Sequence, residues 1–389
     1  MKENDSNPNW QSLANESGSS LIEKAMEKFV FLISLTTILF VLLIFVFIAR
    51  ESLPIFLGTV ERSIVREPIP VNALATTPPE ELMAYLDLSA DEFQSMEKET
   101  LELLLEVKLE ELAQAPIGTD ATIQTTRWSY LLLPFQWSGY DAPAFIWQPI
   151  SQIRKYNIVP LLIGSLKTSL IALLFAVPIA IGAAIYVSQL APMRIREWIK
   201  PMIEMMAGIP SVVLGFFALI VMATTLQETF GYQSRLNALV AGIALGLAVI
   251  PVIFSIAEDA LTSVPQSFSH AALALGSSRW QTASSVVLPA ALPGIFAAVV
   301  LGFGRAIGET MIVLMATGNA SIVSWSLLDS TRTITATIAA ELAETVFGGE
   351  HYRILFVLGT ILFGVTFLAN LVGDVVIHRL KRRLEGKIA

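Results

Sequence analysis

The chain has 389 residues, of which 54% are hydrophobic and 15% are charged, and its mean hydropathy is +0.65. A composition this apolar argues against a soluble globular protein and indicates a membrane protein. The absence of cysteine excludes disulfides, thiolate catalysis and cysteine-ligated metals, and three scattered histidines argue against a histidine cluster, so we expect no metal site.

The first predicted element is a membrane anchor behind a polar tail. Residues 1–28 form the tail, which we expect in the cytoplasm, and residues 29–50 form the anchor. Its apolar core has about 20 residues, which is enough to cross a bilayer. No small-residue cleavage site follows, so we expect the anchor to be retained rather than removed as a signal peptide.

An acidic insert, residues 51–156, follows on the side that we expect to be extracytoplasmic. Between residues 61 and 111 there are thirteen Asp or Glu and four Lys or Arg, an excess that accounts for the net charge of −8 of the whole chain. Apolar positions at helical spacing predict one or two amphipathic helices within residues 79–114. Residues 128–147 are rich in aromatic side chains, as is typical of a membrane interface. The insert is either a docking surface for an extracytoplasmic partner or a solvated accessory lobe.

Six apolar stretches are long enough to cross a bilayer, at roughly 20 residues each. They predict an all-α, multi-pass membrane protein whose last five spans form a core, residues 157–378. Lys and Arg gather in short loops on one side and in the basic tail, residues 379–389, so both termini are expected in the cytoplasm. The predicted spans are residues 29–48, 159–187, 201–226, 236–256, 288–317 and 354–377.

The third predicted span is interrupted near its start by Gly208, Pro210 and Ser211. Proline removes a backbone hydrogen bond, and glycine relaxes the chain. Interrupted transmembrane helices are tolerated where they line a cavity or are buried in protein. The segment is either the hinge of a gate or a bend that serves packing.

The loop between the fourth and fifth predicted spans, residues 257–287, has a helical periodicity of its own. Gly276 stands where a first short helix is expected to end, and Ala271 and Ala272 offer a small-residue surface that another protein could approach closely. The pattern predicts a helix, a glycine break and a second helix, which together form a docking element. The alternative is an ordinary pair of helices at the membrane interface.

The fifth predicted span carries an ionisable pair, Arg305 and Glu309, near its middle. On one continuous helix these residues lie a turn apart on the same face. Charges at this depth are costly and usually face a water-filled path or a partner helix, and a guanidinium matches the oxygens of an oxyanion. We therefore assign Arg305, Glu309 and the hydroxyl of Thr310 to a substrate pathway, with Glu309 neutralising Arg305 between transport events. The alternative is an ion pair that only fixes helix packing.

The loop of residues 257–287 resembles the EAA loop of the permease subunits of bacterial ABC importers. That loop has two alanines, a glycine and an apolar-Leu-Pro end, and this chain has Ala271-Ala272, Gly276 and Val287-Leu288-Pro289 at that spacing. The resemblance implies the type I ABC importer permease fold, with the loop seated in a groove of a cytoplasmic ATPase. It assigns ATPase coupling to His270, Ala271, Ala272, Gly276, Leu288 and Pro289.

One position departs from the EAA pattern, because His270 stands where an acid is usual. An imidazole does not make the same charge-assisted contact as a carboxylate. Glu258 and Asp259 lie upstream and could compensate, so we include both in the predicted coupling set.

Within these permeases the chain resembles the phosphate branch, and in particular the PstC type of subunit. The resemblance runs from about residue 147 to the carboxyl end and includes Gly304-Arg305-Ala306-Ile307-Gly308-Glu309-Thr310-Met311 and His351-Tyr352-Arg353. It implies import of inorganic phosphate across the bacterial inner membrane. The implied partners are a homologous PstA-type permease, a PstB-type ATPase dimer and a periplasmic or lipid-anchored PstS-type phosphate-binding protein. Typical members have a much shorter connection in place of residues 51–156.

No G-x-x-x-x-G-K-[ST] phosphate-binding loop occurs in the sequence, so ATP and Mg²⁺ are expected on the partner ATPase, and no cofactor or enzymatic activity is expected on this chain. No nucleic-acid-binding patch is expected either. Two alternative functions stay open. The first is a sulfate or molybdate permease of the same class, whose members tend to have Gly-Glu-Phe where this chain has Gly-Glu-Thr-Met. The second is an ion-coupled secondary anion carrier in which Glu309 relays protons.

Overall fold

The described part of the chain is mostly helical. The computed structural model describes residues 20–58, 78–86, 98–114, 125–137, 140–151 and 154–385, together with residues 88, 93 and 96. The expectations for most of the amino-terminal tail, for the intervening parts of the acidic insert and for residues 386–389 lie outside the described residues.

The acidic insert is partly helical, as predicted, and ends in a small antiparallel hairpin that pairs Trp147 with Tyr156. The elements up to this point are α1 (Ser20–Phe56), α2 (Pro79–Leu86), α3 (Lys98–Gln114), α4 (Trp128–Leu132), β1 (Trp147–Gln148) and β2 (Lys155–Tyr156).

The remainder of the chain contains eleven further α-helices among the described residues. They are α5 (Val159–Ile185), α6 (Met193–Ala207), α7 (Ser211–Phe217), α8 (Ala223–Phe230), α9 (Ala238–Thr262), α10 (Gln266–Ala274), α11 (Arg279–Thr282), α12 (Leu288–Gly308), α13 (Met311–Ala316), α14 (Ile334–Glu341) and α15 (Glu350–Glu385), of which α7 with α8 and α11 with α12 are joined through π-helical turns.

Six helical segments in the described part are long and apolar enough to cross a membrane, which confirms the predicted fold class. A chain can cross a bilayer as a helix because every backbone hydrogen bond is then made within the segment. The six segments are Lys24–Phe56, Val159–Leu190, Ser211–Phe230, Ala238–Thr262, Arg279–Gly308 and Glu350–Leu380.

The third span begins at Ser211, so the predicted start at residue 201 is wrong. Gly208 caps the carboxyl end of α6, and Pro210 precedes α7 with an extended ψ of 136°. Proline has no N–H to donate and keeps the residue before it out of the helical region, so one helix cannot run through this point. Residues 201–207 belong instead to the amphipathic helix α6.

The fifth span ends at Gly308, so the predicted single helix of residues 288–317 is also wrong. Glu309 has an extended backbone, with φ −70° and ψ 137°, and a separate short helix begins at Met311. The helix also starts earlier than predicted, because Arg279 begins a helical segment that continues through a π-helical turn, Ala283–Val287, into α12.

The centre of the bundle is the contact between α5 and α9, which is built from small side chains. On α9, Gly242 packs against Ile171 and Gly246 packs against Phe175. Small residues let two helix backbones approach closely within a membrane. The facing alanines of α5 recur every four residues and are fully buried: Ala172, Ala176, Ala180 and Ala184.

A second buried cluster joins the first span to the rest of the molecule. Ile55 of α1, Trp147 and Tyr156 of the hairpin, and Ile334 of α14 pack together with the start of α15. Further along, Phe45 of α1 meets α15 edge to face. The anchor and the end of the insert are therefore packed onto the core of residues 157–378.

The close approach of α5 and α9 predicts that substitution of glycine by alanine has different effects at two positions. A Cβ at Gly246 would lie 2.8 Å from Phe175 Cδ1 and 3.1 Å from the carbonyl oxygen of Ala172, whereas a Cβ at Gly359 of α15 meets nothing within 4 Å. We expect Gly246→Ala to destabilise the protein by about 1–3 kcal/mol through overpacking, and the control Gly359→Ala to be neutral or slightly stabilising, because alanine favours helix. Thermal aggregation of the detergent-purified protein measures both, and equal midpoints for the two variants would contradict the packing argument.

Candidate functional site

Arg305 lies at mid-depth in the bundle. One turn before it, Gly302 packs against Ile253 and Val249, which stand near the middle of the fourth span, α9. The Arg305 side chain is exposed on the surface of this chain, and no residue in the described ranges forms a hydrogen bond or ion pair with it. A positive charge at this depth thus faces outward from the subunit, and no residue of the described part neutralises it.

Glu309 does not pair with Arg305, so the predicted ion pair on one helix face is wrong. The helix ends between them, and Glu309 Oε1 instead accepts hydrogen bonds from the backbone N–H groups of Thr310 and Met311, each at 3.1 Å. A carboxylate in this position satisfies the free N–H groups that begin α13. The role that the structure shows for this side chain is a cap on a broken helix.

The break at Glu309 is also held from the neighbouring helix α14. Thr335 Oγ1 donates a 2.8 Å hydrogen bond to the backbone carbonyl oxygen of Glu309. Protein groups therefore satisfy two N–H groups and one carbonyl oxygen at the break, as non-helical backbone within a membrane requires.

The two interrupted spans meet at this depth. Gly215 of α7 packs against α13, because a Cβ at Gly215 would lie 3.1 Å from the carbonyl oxygen of Met311. Ser211, one turn before Gly215, is half-buried, while Gly208 and Pro210 are exposed. The structure thus brings the predicted hinge of residues 208–211 close to the predicted pathway residues through the contact of α7 with α13.

An open groove of about 530 Å³ runs along α14 from this break. Its lining side chains are mostly apolar, with hydroxyls at one end from Thr310 and Thr335. The lining residues are Gly308, Thr310, Thr335, Ile338, Ala339, Leu342, Ala343 and Leu362.

The loop of residues 257–287 has the predicted helix, glycine break and second helix. After α10, Gly276 has a φ of +90°, a left-handed conformation that side chains with a Cβ rarely adopt. Ser278 then caps α11 through a reciprocal pair of hydrogen bonds with Gln281. The glycine is therefore required by the backbone conformation and not by crowding.

The predicted coupling residues of this loop differ in their exposure. His270 and Ala271 are exposed, Ala272 is buried, and Leu288 and Pro289 are half-buried at the start of α12. Sequence reasoning missed the most exposed apolar side chains of the loop, Leu275 at 88% and Trp280 at 60%. The signal was present in the sequence, since both residues flank the glycine break.

The side chain of Glu258 does not reach the surface of this loop, and its predicted role in ATPase coupling stays a prediction. Its side chain is 0% exposed and binds Arg196 Nη2 and Lys200 Nζ of α6, each at 2.7 Å. The hydrogen bond to Glu258 raises the pKa of Lys200 above its usual value. Asp259, in contrast, is exposed and its coupling role stays a prediction.

Sequence reasoning also missed a polar network at the carboxyl end of α14. The buried carboxylate of Glu341 accepts a hydrogen bond from Trp147 Nε1 at 3.1 Å and pairs with Arg332 at 2.6 Å and His351 at 3.2 Å. The ring of His351 stacks on Tyr156, and burial raises the pKa of the Tyr156 phenol. The signal was the single charged residue in an otherwise uncharged helix.

A buried lysine in the second span is a further feature that sequence reasoning did not single out. Lys167 Nζ donates hydrogen bonds of 3.0 Å to the carbonyl oxygens of Ser324 and Ser326. These carbonyls belong to the loop that connects α13 with α14, so the lysine fixes that loop against α5.

Residues 176–386 match the family model described as binding-protein-dependent transport system inner membrane component. The probable ABC transporter permease protein YqgH of Bacillus subtilis is 36% identical over 223 residues, covering 57% of this chain and 72% of the relative. The phosphate transport system permease protein PstC of Mesorhizobium japonicum is 36% identical over 256 residues, covering 61% of this chain and 77% of the relative. The protein of the same name from Pasteurella multocida is 33% identical, covering 62% and 80%.

Two solved transporters are also similar to this chain. A chain of the inward-facing MetNI methionine ABC transporter has a TM-score of 0.44 at 17% identity, covering 57% of this chain and 94% of its own length. A chain of a bacterial ABC transporter that imports the acidic polysaccharide alginate has a TM-score of 0.45 at 16% identity, covering 57% and 79%.

The family match extends over more than half of the chain, and the six candidate spans lie within the described residues. The predicted resemblance to ABC importer permeases is confirmed. This chain belongs to the family of binding-protein-dependent transport system inner membrane components, as a multi-pass permease subunit of the inner membrane.

Proposed function

We propose that this permease subunit carries inorganic phosphate across the bacterial inner membrane as part of an ATP-driven importer. The proposal has two supports. The relatives from Mesorhizobium japonicum and Pasteurella multocida are named phosphate transport system permease protein PstC, and Arg305 presents at mid-depth a guanidinium that no side chain of the described residues binds. The position of Arg305 is the observation on which the proposal depends, because the names of the relatives describe other proteins.

A guanidinium suits a passing phosphate for two physical reasons. It stays charged at every physiological pH, and its planar fork of N–H donors fits two oxygens of the anion at once. A cation without a counter-ion at membrane depth is costly. Since Glu309 is engaged with the N–H groups of Thr310 and Met311, the charge of Arg305 is left for water or for an anion in the pathway.

The two helix breaks give this pathway a means of opening and closing. Residues 208–210 separate α6 from α7, and Glu309 with Thr310 separates α12 from α13. Helix segments joined by a few non-helical residues can rotate as rigid pieces. We assign Gly208, Pro210 and Ser211 to the hinge and Arg305, Glu309 and Thr310 to the pathway, with Glu309 as the cap that shapes it.

The energy source and the remaining subunits belong to the same proposal. A PstA-type permease would complete the pathway, and a PstS-type protein would deliver phosphate. A PstB-type ATPase dimer would bind ATP and Mg²⁺ and contact the loop of residues 257–287. The exposed His270, Ala271, Leu275 and Trp280 support a docking surface there. Both termini would lie on the ATPase side, where basic residues of the loops gather.

The pathway assignment predicts that Arg305→Ala lowers ATP-dependent phosphate uptake into proteoliposomes by at least about tenfold, because the anion loses its charge-assisted hydrogen bonds. Assembly with the ATPase should be unchanged. Arg305→Lys should retain part of the uptake, since it keeps the charge but loses the fork.

The matched control is Arg379→Ala, which removes an exposed arginine near the end of α15. Uptake of sulfate and molybdate is measured beside phosphate, with and without ATP. Full uptake by Arg305→Ala would remove this residue from the pathway. Wild-type uptake of sulfate but not phosphate, or uptake without ATP, would contradict the proposed function.

The docking assignment predicts different effects of two substitutions at Gly276. Valine is strained at φ +90°, and a Cβ there meets nothing within 4 Å, so any effect comes from the backbone. The left-handed conformation costs about 1–2 kcal/mol for residues with a Cβ, more for β-branched ones and less for Asn. We expect Gly276→Val to lose ATPase co-purification and Gly276→Asn to retain most of it. Equal co-purification with both variants would count against a docking surface shaped by this turn.

A further inference from the structure

The amphipathic helix α6 has few means of attachment to the rest of the chain. None of its residues is buried. Ile199 and Ile203 pack partly against the core, and two cations one turn apart, Arg196 and Lys200, reach the same carboxylate on α9. The charged attachment and the apolar attachment thus lie on the same side of α6.

The carboxylate of Glu258 is well placed to hold α6 in one register. It is fully buried, and each of its oxygens has its own cation, Oε1 with Arg196 and Oε2 with Lys200, both at 2.7 Å. Buried ion pairs add little net stability, because desolvation offsets the attraction, and their best-attested use is to specify one arrangement over others. Two short charge-assisted bonds to one carboxylate fix both the position and the rotation of α6.

Glu258 stands between the two moving parts that the proposed function requires. On one side it lies near the end of α9, and α10, the helix of the docking loop, begins at Gln266. On the other side it holds α6, which runs into the break at residues 208–210 and hence to α7 and the pathway. A displacement of α10 that moves the end of α9 therefore also moves α6, because the two ion pairs of Glu258 connect these helices.

We infer that Glu258, with Arg196 and Lys200, is a positioning cluster that transmits motion of the docking loop to the hinge at residues 208–211. The inference rests on the proposed function. The cluster keeps α6 attached to α9 while both helices move. A displacement of the docking loop is therefore converted into a rotation of α7, which lies next to the pathway. Without the cluster, the ATPase continues to hydrolyse ATP, but less phosphate is transported per ATP hydrolysed.

The test measures phosphate transported per ATP hydrolysed by the full complex in proteoliposomes. Glu258→Gln keeps the shape and removes the charge. We expect it to lower this ratio at least about fivefold while assembly and basal ATP hydrolysis stay within about twofold of wild type, since a charge-assisted hydrogen bond is roughly twice as strong as a neutral one. The matched control is Glu197→Gln, the same change at an exposed acid of α6, which should leave the ratio unchanged.

A second pair of variants covers the case in which Glu258→Gln does not assemble. Lys200 is partly exposed, and its removal leaves Arg196 on the carboxylate, so the protein should fold. We expect Lys200→Met to lower the ratio at least about twofold and Lys200→Arg to preserve it, because arginine retains the charged contact. A merely structural role would change the yield or the melting temperature and leave the ratio of the surviving complexes at the wild-type value.

An unchanged ratio in either Glu258→Gln or Lys200→Met would overturn the inference. The wild-type complex reports separately on the proposed function, because failure of wild type to transport phosphate would contradict that function alone. The ratio is then measured with whichever of sulfate or molybdate the wild-type complex does transport, and the same comparison of variants applies.

Discussion

A chain that breaks a helix inside a membrane must satisfy the backbone groups that the break releases, and this requirement governs the centre of the protein. At the end of α12 the released N–H groups bind the carboxylate of Glu309, and the released carbonyl oxygen binds Thr335. At the end of α6 the backbone N–H groups of Gly208 and Ile209 turn back to carbonyls of the preceding turn. At each break, protein groups thus satisfy part of the backbone that the helix end releases.

The way in which the first break is closed decides the electrostatics of the proposed pathway. A carboxylate that caps a helix is held by N–H groups and is not available to a cation one turn away. The positive charge of Arg305 is therefore not neutralised by Glu309, and it lies on the exposed surface of this subunit. The charge distribution follows from a local backbone constraint, and an anion pathway is one use to which the resulting unpaired cation is suited.

Hydropathy and turn chemistry predicted the six spans and the helix, glycine and helix of residues 257–287, because these depend on residues close in sequence. The start of the third span and the end of the fifth were wrong because hydropathy does not register a break between apolar segments. Gly208, Pro210 and Ser211 predicted an interruption but not that the span begins after it, and nothing in Gly308-Glu309-Thr310 excludes a helix. The burial of Glu258 could not be predicted either, since its partners stand 62 and 58 positions away. The identities of the partner subunits were predicted from the resemblance to PstC-type permeases alone, because neither composition nor motif spacing specifies a partner.

The hydrogen bond between Trp147 and Glu341 spans 194 positions of sequence. It fastens the last part of the acidic insert, which lies outside the matched family region of residues 176–386, to the short helix that precedes the sixth span. Separating the hairpin from α14 would remove the Trp147 hydrogen-bond donor from the buried carboxylate of Glu341 and expose that carboxylate to water. Because the same carboxylate also pairs with His351 of α15 at 3.2 Å, a displacement of this hairpin acts directly on the start of the sixth span.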